Sequence, residues 1–163
     1  MISNIYVTFG SESYLSKIIE KHPERKLYLY NSVTNSDSFE IVDLSDKPTI
    51  FESPIGYSVL NHFGTDQWGK SISYITLDLD SNQQKVLDAK INSIISNESL
   101  PDGMSSIYSL NIANKLSKRV ILTTWNDNVK IADWYRSKSA NNLFDLNDQI
   151  ETNYFETIYK FFK

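Results

Sequence analysis

The chain has 163 residues, of which 40% are apolar, 13% aromatic and 22% charged, and it contains no cysteine. This length and apolar content suit one compact domain, or two small halves that share a core, and they exclude collagen-like and disordered classes. The absence of cysteine excludes disulfides, thiol nucleophiles and cysteine-based metal sites. A formal net charge of −4 argues against a nucleic-acid partner, because such binding requires clustered positive charge.

Membrane and export signals are missing from the sequence pattern. The apolar runs are far shorter than the roughly 20 residues that a membrane span requires. The chain does not open on a basic segment followed by an apolar one, so no signal peptide is expected. The sequence therefore predicts a cytoplasmic protein without integral membrane contact.

The first part of the chain predicts short strands around one helix. Residues 5–10 are β-branched and aromatic and end on glycine, which is typical of a strand. Residues 11–21 place their apolar side chains on one helical stripe, and Pro23 ends that helix. Polar turns separate four further predicted strands, at residues 27–30, 39–44, 49–51 and 56–63.

The second part begins with a strand and a helix. Polar and apolar residues alternate over 71–79, which indicates a strand with one well-buried face. Ser81 and Gln84 have the spacing of a capping box, and the helix that they open carries Leu87 and Ile91 on one stripe.

The rest of the chain predicts two strands, one or two helices and a final strand. The two strands, residues 104–112 and 119–125, are joined by a polar loop, and Asn126 or Asp127 caps the next helix. Further predicted elements are a helical turn at Leu143, Phe144 and Leu146 and a last strand at residues 154–162.

The order of these elements predicts an α+β fold. From residue 71 onwards it reads β-α-β-β-α-β, the split βαβ or ferredoxin-like arrangement of the dimeric α+β barrel type. Its sheet carries helices on one face only, so the other face needs a cover. Either the N-terminal strands cover it within an internally paired monomer, or a second copy covers it in a homodimer. We divide the chain into residues 1–68, an N-terminal β-α-β extension or degenerate half, and residues 69–163, the ferredoxin-like domain.

Few side chains are equipped for catalysis. His22 stands beside a predicted helix end and His62 in a predicted strand or turn, and neither has the spacing of a metal site, so surface or capping roles are expected. Phosphate-binding glycine loops and the nucleophile elbow do not occur in the sequence. The sequence leaves open whether His22 or His62 reaches a ligand cleft.

Two tryptophans offer a different kind of site. Trp125 ends a predicted strand and Trp134 lies on the following helix. In one interpretation both are core residues, since tryptophan buries a large apolar area and needs one hydrogen-bond partner. In the other, Trp134 points into a cleft between helix and sheet and presents its face to a planar apolar ligand.

Several segments resemble a known superfamily. Residues 120–125 (Val-Ile-Leu-Thr-Thr-Trp) and 132–137 (Ala-Asp-Trp-Tyr-Arg-Ser) resemble a motif of heme-degrading enzymes in the antibiotic-biosynthesis-monooxygenase (ABM) superfamily. Residues 6–10, 18–23 and 50–59 are similar to a longer subgroup, which includes two-part bacillar heme monooxygenases and staphylococcal TRAP-like proteins. The resemblance covers most of the chain and implies the same ferredoxin-like fold.

The resemblance also implies where a site lies. Trp134 matches the tryptophan that presses on the porphyrin in heme-degrading members, which makes it the candidate catalytic residue. Their iron-ligating histidine falls on Phe144, and their catalytic asparagine falls on Ile75, or on Thr76 if the register shifts by one. Heme is the cofactor that the resemblance implies, but these replacements remove its usual axial ligand, so no cofactor is fixed and no metal ligand is predicted. The candidate ligand-binding residues are Ile75, Thr76, Trp125, Trp134, Asn141, Asn142 and Phe144.

Two functions follow from this reasoning. The first is a monooxygenase-like protein, heme-degrading or cofactor-free, that binds heme or a polycyclic aromatic molecule near Trp134. The second is a catalytically silent signalling or ligand-binding module similar to the TRAP-like proteins. The expected partner in both is a small, planar, hydrophobic molecule.

Overall fold

The structure is a computed structural model that describes residues 2–68, 70–97, 99–145 and 154–163, and for residues 154–156 only the backbone. The described residues form eight strands and four helices. In chain order these are β1 (Asn4–Gly10), α1 (Glu12–Lys21), β2 (Leu27–Ser32), β3 (Phe39–Asp43), β4 (Ile55–Gly64), β5 (Ser71–Asp78), α2 (Ser81–Ser96), β6 (Met104–Ile112), β7 (Lys115–Trp125), α3 (Asn128–Tyr135), α4 (Lys138–Phe144) and β8 (Tyr154–Phe161).

The strands close into one antiparallel barrel in the order β1-β3-β2-β8-β5-β7-β6-β4. The C-terminal strands have the ferredoxin-like order β8-β5-β7-β6, and the N-terminal strands have the corresponding order β4-β1-β3-β2. Pairing of β2 with β8 and of β4 with β6 joins the two sets. The N-terminal strands thus cover the face that the C-terminal helices leave open, which confirms the predicted α+β fold with an N-terminal extension on the sheet. The division at residues 68 and 69 stays a prediction.

Side chains alternate between the inside of this barrel and its outer surface. Tyr74 and Tyr108 belong to the inner cluster, to which no helix contributes, and we call this interior the lumen. On the outer surface, α2, α3 and α4 cover a second cluster that includes Ile75 and Trp134, which we call the α2–α4 cluster. Strand β5 is therefore buried on both faces, and the predicted single buried face is wrong, because a closed barrel gives its strands an interior as well as a helix-covered side.

Two helix starts show which polar residues act as caps. The capping box of α2 uses Asp80 and Gln83: the Asp80 carboxylate accepts from Gln83 N at 2.8 Å, and the Gln83 side chain accepts from Asp80 N at 3.0 Å. The predicted box of Ser81 and Gln84 is wrong by one residue, since the Gln84 side chain donates instead to Leu79 O. Asp127, rather than Asn126, caps α3 by accepting from Val129 N.

Two loop predictions are also corrected. Residues 49–51 form no strand; Phe51 is buried beneath α1 against a cluster that contains Leu15 and Leu29, so these apolar residues anchor a loop. Strand β7 starts at Lys115 and not at residue 119, because Asn114 adopts a left-handed conformation (φ 65°) that allows a tight turn after β6. Leu146, predicted in the last helical turn, lies outside the described residues.

Helix α2 is the longest of the described helices, with 16 residues, and Leu87 and Ile91 are its buried side chains. No helix in the described ranges is both long and apolar enough to span a lipid bilayer.

Candidate functional site

A pocket of about 360 Å³ opens beside Trp134, where the C-terminal end of α2 meets α3 and α4. Its apolar walls come from Ile94, Leu100 and Pro101. The remaining lining residues are polar and come from the loop after α2 and from α3 and α4: Ser99, Asp102, Lys130, Asp133, Ser137 and Ser139. Apolar walls with a few polar groups at the rim are typical of sites for small organic molecules.

Trp134 lines this pocket and is also a buried residue of the α2–α4 cluster. Only 5% of the residue is exposed, and its ring centroid lies 5.7 Å from that of Trp125 and 5.9 Å from that of Phe144, with Phe144 edge-on at 74°. Trp134 is therefore a core residue that also lines a pocket, and a planar ligand against its ring stays a prediction. The fully buried Trp125 belongs to the core alone.

The two indole N–H groups differ in their hydrogen bonding. Trp125 Nε1 donates to Thr123 Oγ1 at 2.7 Å. Trp134 Nε1 is buried and has no hydrogen-bond partner among the residues that the structure describes. A buried N–H without an acceptor costs about 1–3 kcal/mol, so an acceptor brought by a ligand would recover that cost.

The rim of the pocket is held by contacts between the loop after α2 and helix α3. Lys130 Nζ lies 3.0 Å from Asp102 Oδ2, and this hydrogen-bonded ion pair raises the pKa of Lys130. Gly103 has φ +84°, and a Cβ atom there would lie 2.7 Å from Lys130 Cβ. Only glycine allows both this conformation and this close approach, so the loop is fitted onto α3 at this point.

The structure separates the predicted site residues into two groups. Ile75, Trp125, Trp134 and Phe144 share the α2–α4 cluster. Thr76 follows Ile75 on β5, so its side chain points to the lumen side, where it lines a different opening with Tyr57. Asn141 and Asn142 are exposed on α4, and Lys90 Nζ donates to the backbone oxygen of Asn142 at 2.5 Å.

Sequence reasoning missed the polar rim of the pocket. Lys130 and Trp134 recur at the spacing of one helical face, and this signal was available in the sequence. The contribution of Asp102 could not be read in this way, because it depends on how the loop after α2 folds back onto α3.

Neither histidine belongs to this pocket. His22 is the C-cap residue of α1, and its Nδ1 lies 3.3 Å from Glu24 Oε1, which agrees with the expected capping role. The predicted surface or capping role of His62 is wrong: its ring stacks on Tyr108 in the lumen, with 4.2 Å between centroids, because β4 turns this residue inwards. Burial lowers the pKa of His62.

The lumen also contains a buried acid that sequence reasoning did not single out. Glu40 is 1% exposed and accepts a hydrogen bond from Tyr74 Oη at 2.8 Å. Burial raises the pKa of its carboxyl group to about 8. Burial also raises the pKa of Tyr159 to about 12, and it raises the pKa of Tyr57 more than that of Tyr159. Glu40 is therefore mainly neutral at pH 7, in a lumen rich in tyrosine hydroxyls.

Several solved structures are similar over nearly the whole chain, and three of them show the likeness. An uncharacterised ferredoxin-fold protein from Listeria monocytogenes, related to antibiotic biosynthesis monooxygenases, has a TM-score of 0.79 and 17% identity, covering 99% of this chain and 95% of that one. A heme-degrading enzyme from the same species has a TM-score of 0.74 and 17% identity, and the match covers 96% of this chain and 98% of that one. The chain has the ABM fold. A major regulator of staphylococcal pathogenesis also shares it, with a TM-score of 0.79 and 22% identity, covering 98% and 99%.

The ABM resemblance drawn from the sequence is confirmed as a likeness of fold. No family model matches the sequence. A shared fold does not fix an activity, so what this chain does depends on the chemistry of its own pocket.

The pocket residues do not fit an iron-ligated heme. Phe144 occupies the place where the resemblance puts the axial histidine, and a phenyl ring has no atom that binds iron. His62 lies in the lumen, on the opposite face of the sheet from Trp134. In the described ranges, no three histidine, aspartate or glutamate side chains are grouped closely enough to hold a metal ion. The site therefore offers stacking and burial, without an imidazole ligand.

Proposed function

We propose that this protein is a monooxygenase-like member of the ABM fold that binds a planar, mostly apolar organic molecule in the Trp134 pocket. The observation that carries the proposal is the largely buried Trp134 in the lining of a pocket with apolar walls. Pockets of this composition bind flat hydrophobic molecules through burial and ring contacts.

A polycyclic aromatic molecule with an oxygen substituent suits this pocket better than heme. The unpaired Trp134 N–H favours a ligand with an acceptor such as a phenol or quinone oxygen. The replacement of the axial histidine by Phe144 removes the ligand that a heme iron needs. Any oxygenation would then depend on the reactivity of the bound molecule itself, as in the cofactor-free oxygenases of the superfamily.

A catalytically silent binding module is the second candidate. It is favoured by Ile75, one of the two residues on which the resemblance places the catalytic asparagine, which is 1% exposed in an apolar cluster. An isoleucine side chain cannot donate or accept a hydrogen bond, so this position contributes only packing.

A titration with flat probes tests the binding proposal. We expect a dihydroxyanthraquinone to quench tryptophan fluorescence saturably. Ser139→Phe, which places a ring in the pocket lining, should abolish the effect, whereas Lys138→Phe on the same helix, outside that lining, should preserve it. Equal binding by both variants, or no saturable binding to the wild type, would contradict the proposal.

Two further measurements separate the candidate activities. Oxygen consumption in the presence of the reduced, phenolic probe supports the oxygenase, and saturable binding without oxygen consumption supports the silent module. Hemin with ascorbate tests the assignment of Phe144: a Soret band that shifts and then decays would show that heme is degraded without the expected histidine.

A further inference from the structure

A second pocket, of about 190 Å³, lies where α2 crosses the outer surface of β4, β6 and β7. Its polar lining consists of Asn61 from β4, Asp88 and Asn92 from α2, Ser109 from β6 and Arg119 from β7. It shares no lining residue with the Trp134 pocket. Because a water molecule occupies about 30 Å³ of liquid, this space can hold a small organic molecule.

Arg119 directs an incompletely used guanidinium group towards this pocket. Its side chain is only 12% exposed, its Nη1 donates to Asn111 Oδ1, and its Nη2 lies 3.6 Å from Asp88 Oδ2, which is too long for a good hydrogen bond. Its Nε is buried and has no hydrogen-bond partner within the described ranges. The Nε and Nη2 edge of a guanidinium group has the geometry that binds the two oxygens of a carboxylate.

Ser109 supplies a second unused donor at the same place. It pairs with Asn61 on the neighbouring strand and is 2% exposed, and its hydroxyl has no hydrogen-bond partner among the described residues. Buried hydroxyl and guanidinium groups are nearly always paired in folded proteins. Two unused donors in one pocket therefore suit a ligand that brings acceptor oxygens.

The charges around the pocket restrict this ligand further. Arg119 and Asp88 are the charged residues that line it, and they balance each other. A simple anion would meet the carboxylate of Asp88 as well as the guanidinium of Arg119. A molecule with a carboxylate and an ammonium group would satisfy both, with the carboxylate on Arg119 and Ser109 and the ammonium on Asp88.

We infer that this pocket binds a small zwitterion of the α-amino-acid class. The buried Ile91 and the half-exposed Leu60 form an apolar side against which an aliphatic side chain can pack. Asn61 and Asn92 close the wall through a hydrogen bond between their side-chain amides. The inference is independent of the Trp134 pocket and its ligand.

Calorimetric titration with single amino acids tests this inference. We expect saturable binding of an aliphatic amino acid, with acetate and ethylamine each binding at least about tenfold more weakly, because each makes only half of the charged contacts. Ser139→Phe, which blocks the Trp134 pocket, should leave this binding unchanged. Failure of all amino acids to bind saturably at millimolar concentration would overturn the inference.

Substitutions in the pocket give a sharper test. Arg119→Lys keeps the charge but loses the Nε edge, and Ser109→Ala loses the unused hydroxyl, so each should weaken binding about tenfold. Asp88→Asn should weaken the amino acid and strengthen acetate, because the carboxylate that repels a simple anion is gone. Asp78→Asn, which removes a carboxylate outside the pocket, is the matched control.

The same variants distinguish a ligand site from an internal ion pair. If Arg119 serves only to pair with Asp88, Asp88→Asn will lower the stability without changing the preference between acetate and amino acid. That result, or amino-acid binding that Arg119→Lys leaves intact, would overturn the assignment of a zwitterion site.

Discussion

The buried carboxyl group of Glu40 leads to a quantitative prediction about pH and stability. Its pKa is about 8 in the folded protein, compared with an ordinary value of 4.5. Between these values the folded state holds one proton more than the unfolded state, so folding stability falls as the pH rises. The slope is about 1.4 kcal/mol per pH unit, because one pKa unit corresponds to that free energy.

Replacing Glu40 by glutamine should remove this slope. A glutamine side chain can still accept the hydrogen bond from Tyr74 Oη, but it does not titrate. From about pH 6.5 to about pH 8.5, the wild type should lose about 2 kcal/mol of unfolding free energy relative to the Glu40→Gln variant. Below about pH 3.5 that difference in pH dependence vanishes, because Glu40 is then mostly protonated in both the folded and the unfolded state.

The pH range is chosen so that other lumen groups contribute little. Burial lowers the pKa of His62, so this residue is neutral in the folded state across the range, and its titration in the unfolded state is the same for the wild type and for Glu40→Gln. Burial raises the pKa values of Tyr74 and Tyr159, so their hydroxyls stay protonated. Within this range Glu40 is therefore the lumen group whose charge changes.

Urea unfolding followed by tryptophan fluorescence measures the effect across this range. Glu20→Gln, an exposed position on α1, serves as the control and should keep the wild-type slope. Parallel pH profiles for the wild type and Glu40→Gln would refute the reasoning, since they would mean that Glu40 is already ionised or hydrated in the folded barrel.

Three further predictions concern the candidate site and the fold. Phe144→His should give hemin binding with the Soret spectrum of an axial imidazole, whereas the wild type should lack that spectrum. Gly103→Ala should lower the free energy of unfolding in urea by about 1–3 kcal/mol, because the residue has a φ of +84° and an added Cβ atom would lie too close to Lys130. Gly10→Ala should lower it less, because the closest neighbour of an added Cβ atom there is the flexible Tyr14 ring. Asp43→Asn should lower the free energy of unfolding by about 3 kcal/mol in the same assay. Arg25 is largely buried and its guanidinium lies 3.1 Å from the Asp43 carboxylate, so the substitution leaves it without its ion-pair partner. A loss below about 1 kcal/mol would contradict the last prediction.

The order of strands and helices could be predicted because each has a local pattern. The apolar stripe of α1 and the β-branched run of β1 are visible within ten residues of sequence. The exceptions depend on contacts between distant segments. Phe51 has the same local composition as a strand residue, and only the cluster with Leu15 and Leu29 makes it a loop anchor. Whether Asp80 or Ser81 caps α2 depends on one turn of backbone geometry.

The candidate site could be predicted only in part, for a similar reason. Trp134 and Phe144 followed from the resemblance, and the structure places them in ring contact. Ile75 and Thr76 could not be separated, since a shift of one residue in a strand reverses the face to which a side chain points. Glu40 gave no signal at all, because a glutamate in a strand normally faces solvent and only closure of the barrel buries this one.

Apolar residues at positions where the resemblance implies a histidine or an asparagine also stabilise the fold around the site. Ile75 and Phe144 are apolar and pack in the α2–α4 cluster with Trp134, so they contribute burial where polar ligand groups would have to be desolvated. Phe144→His should therefore lower the unfolding free energy without hemin by about 1–3 kcal/mol while it creates an iron ligand. Urea unfolding and hemin titration of the same variant test whether Phe144 is a packing residue. A variant that binds hemin through the new imidazole without any loss of stability would show that it is not.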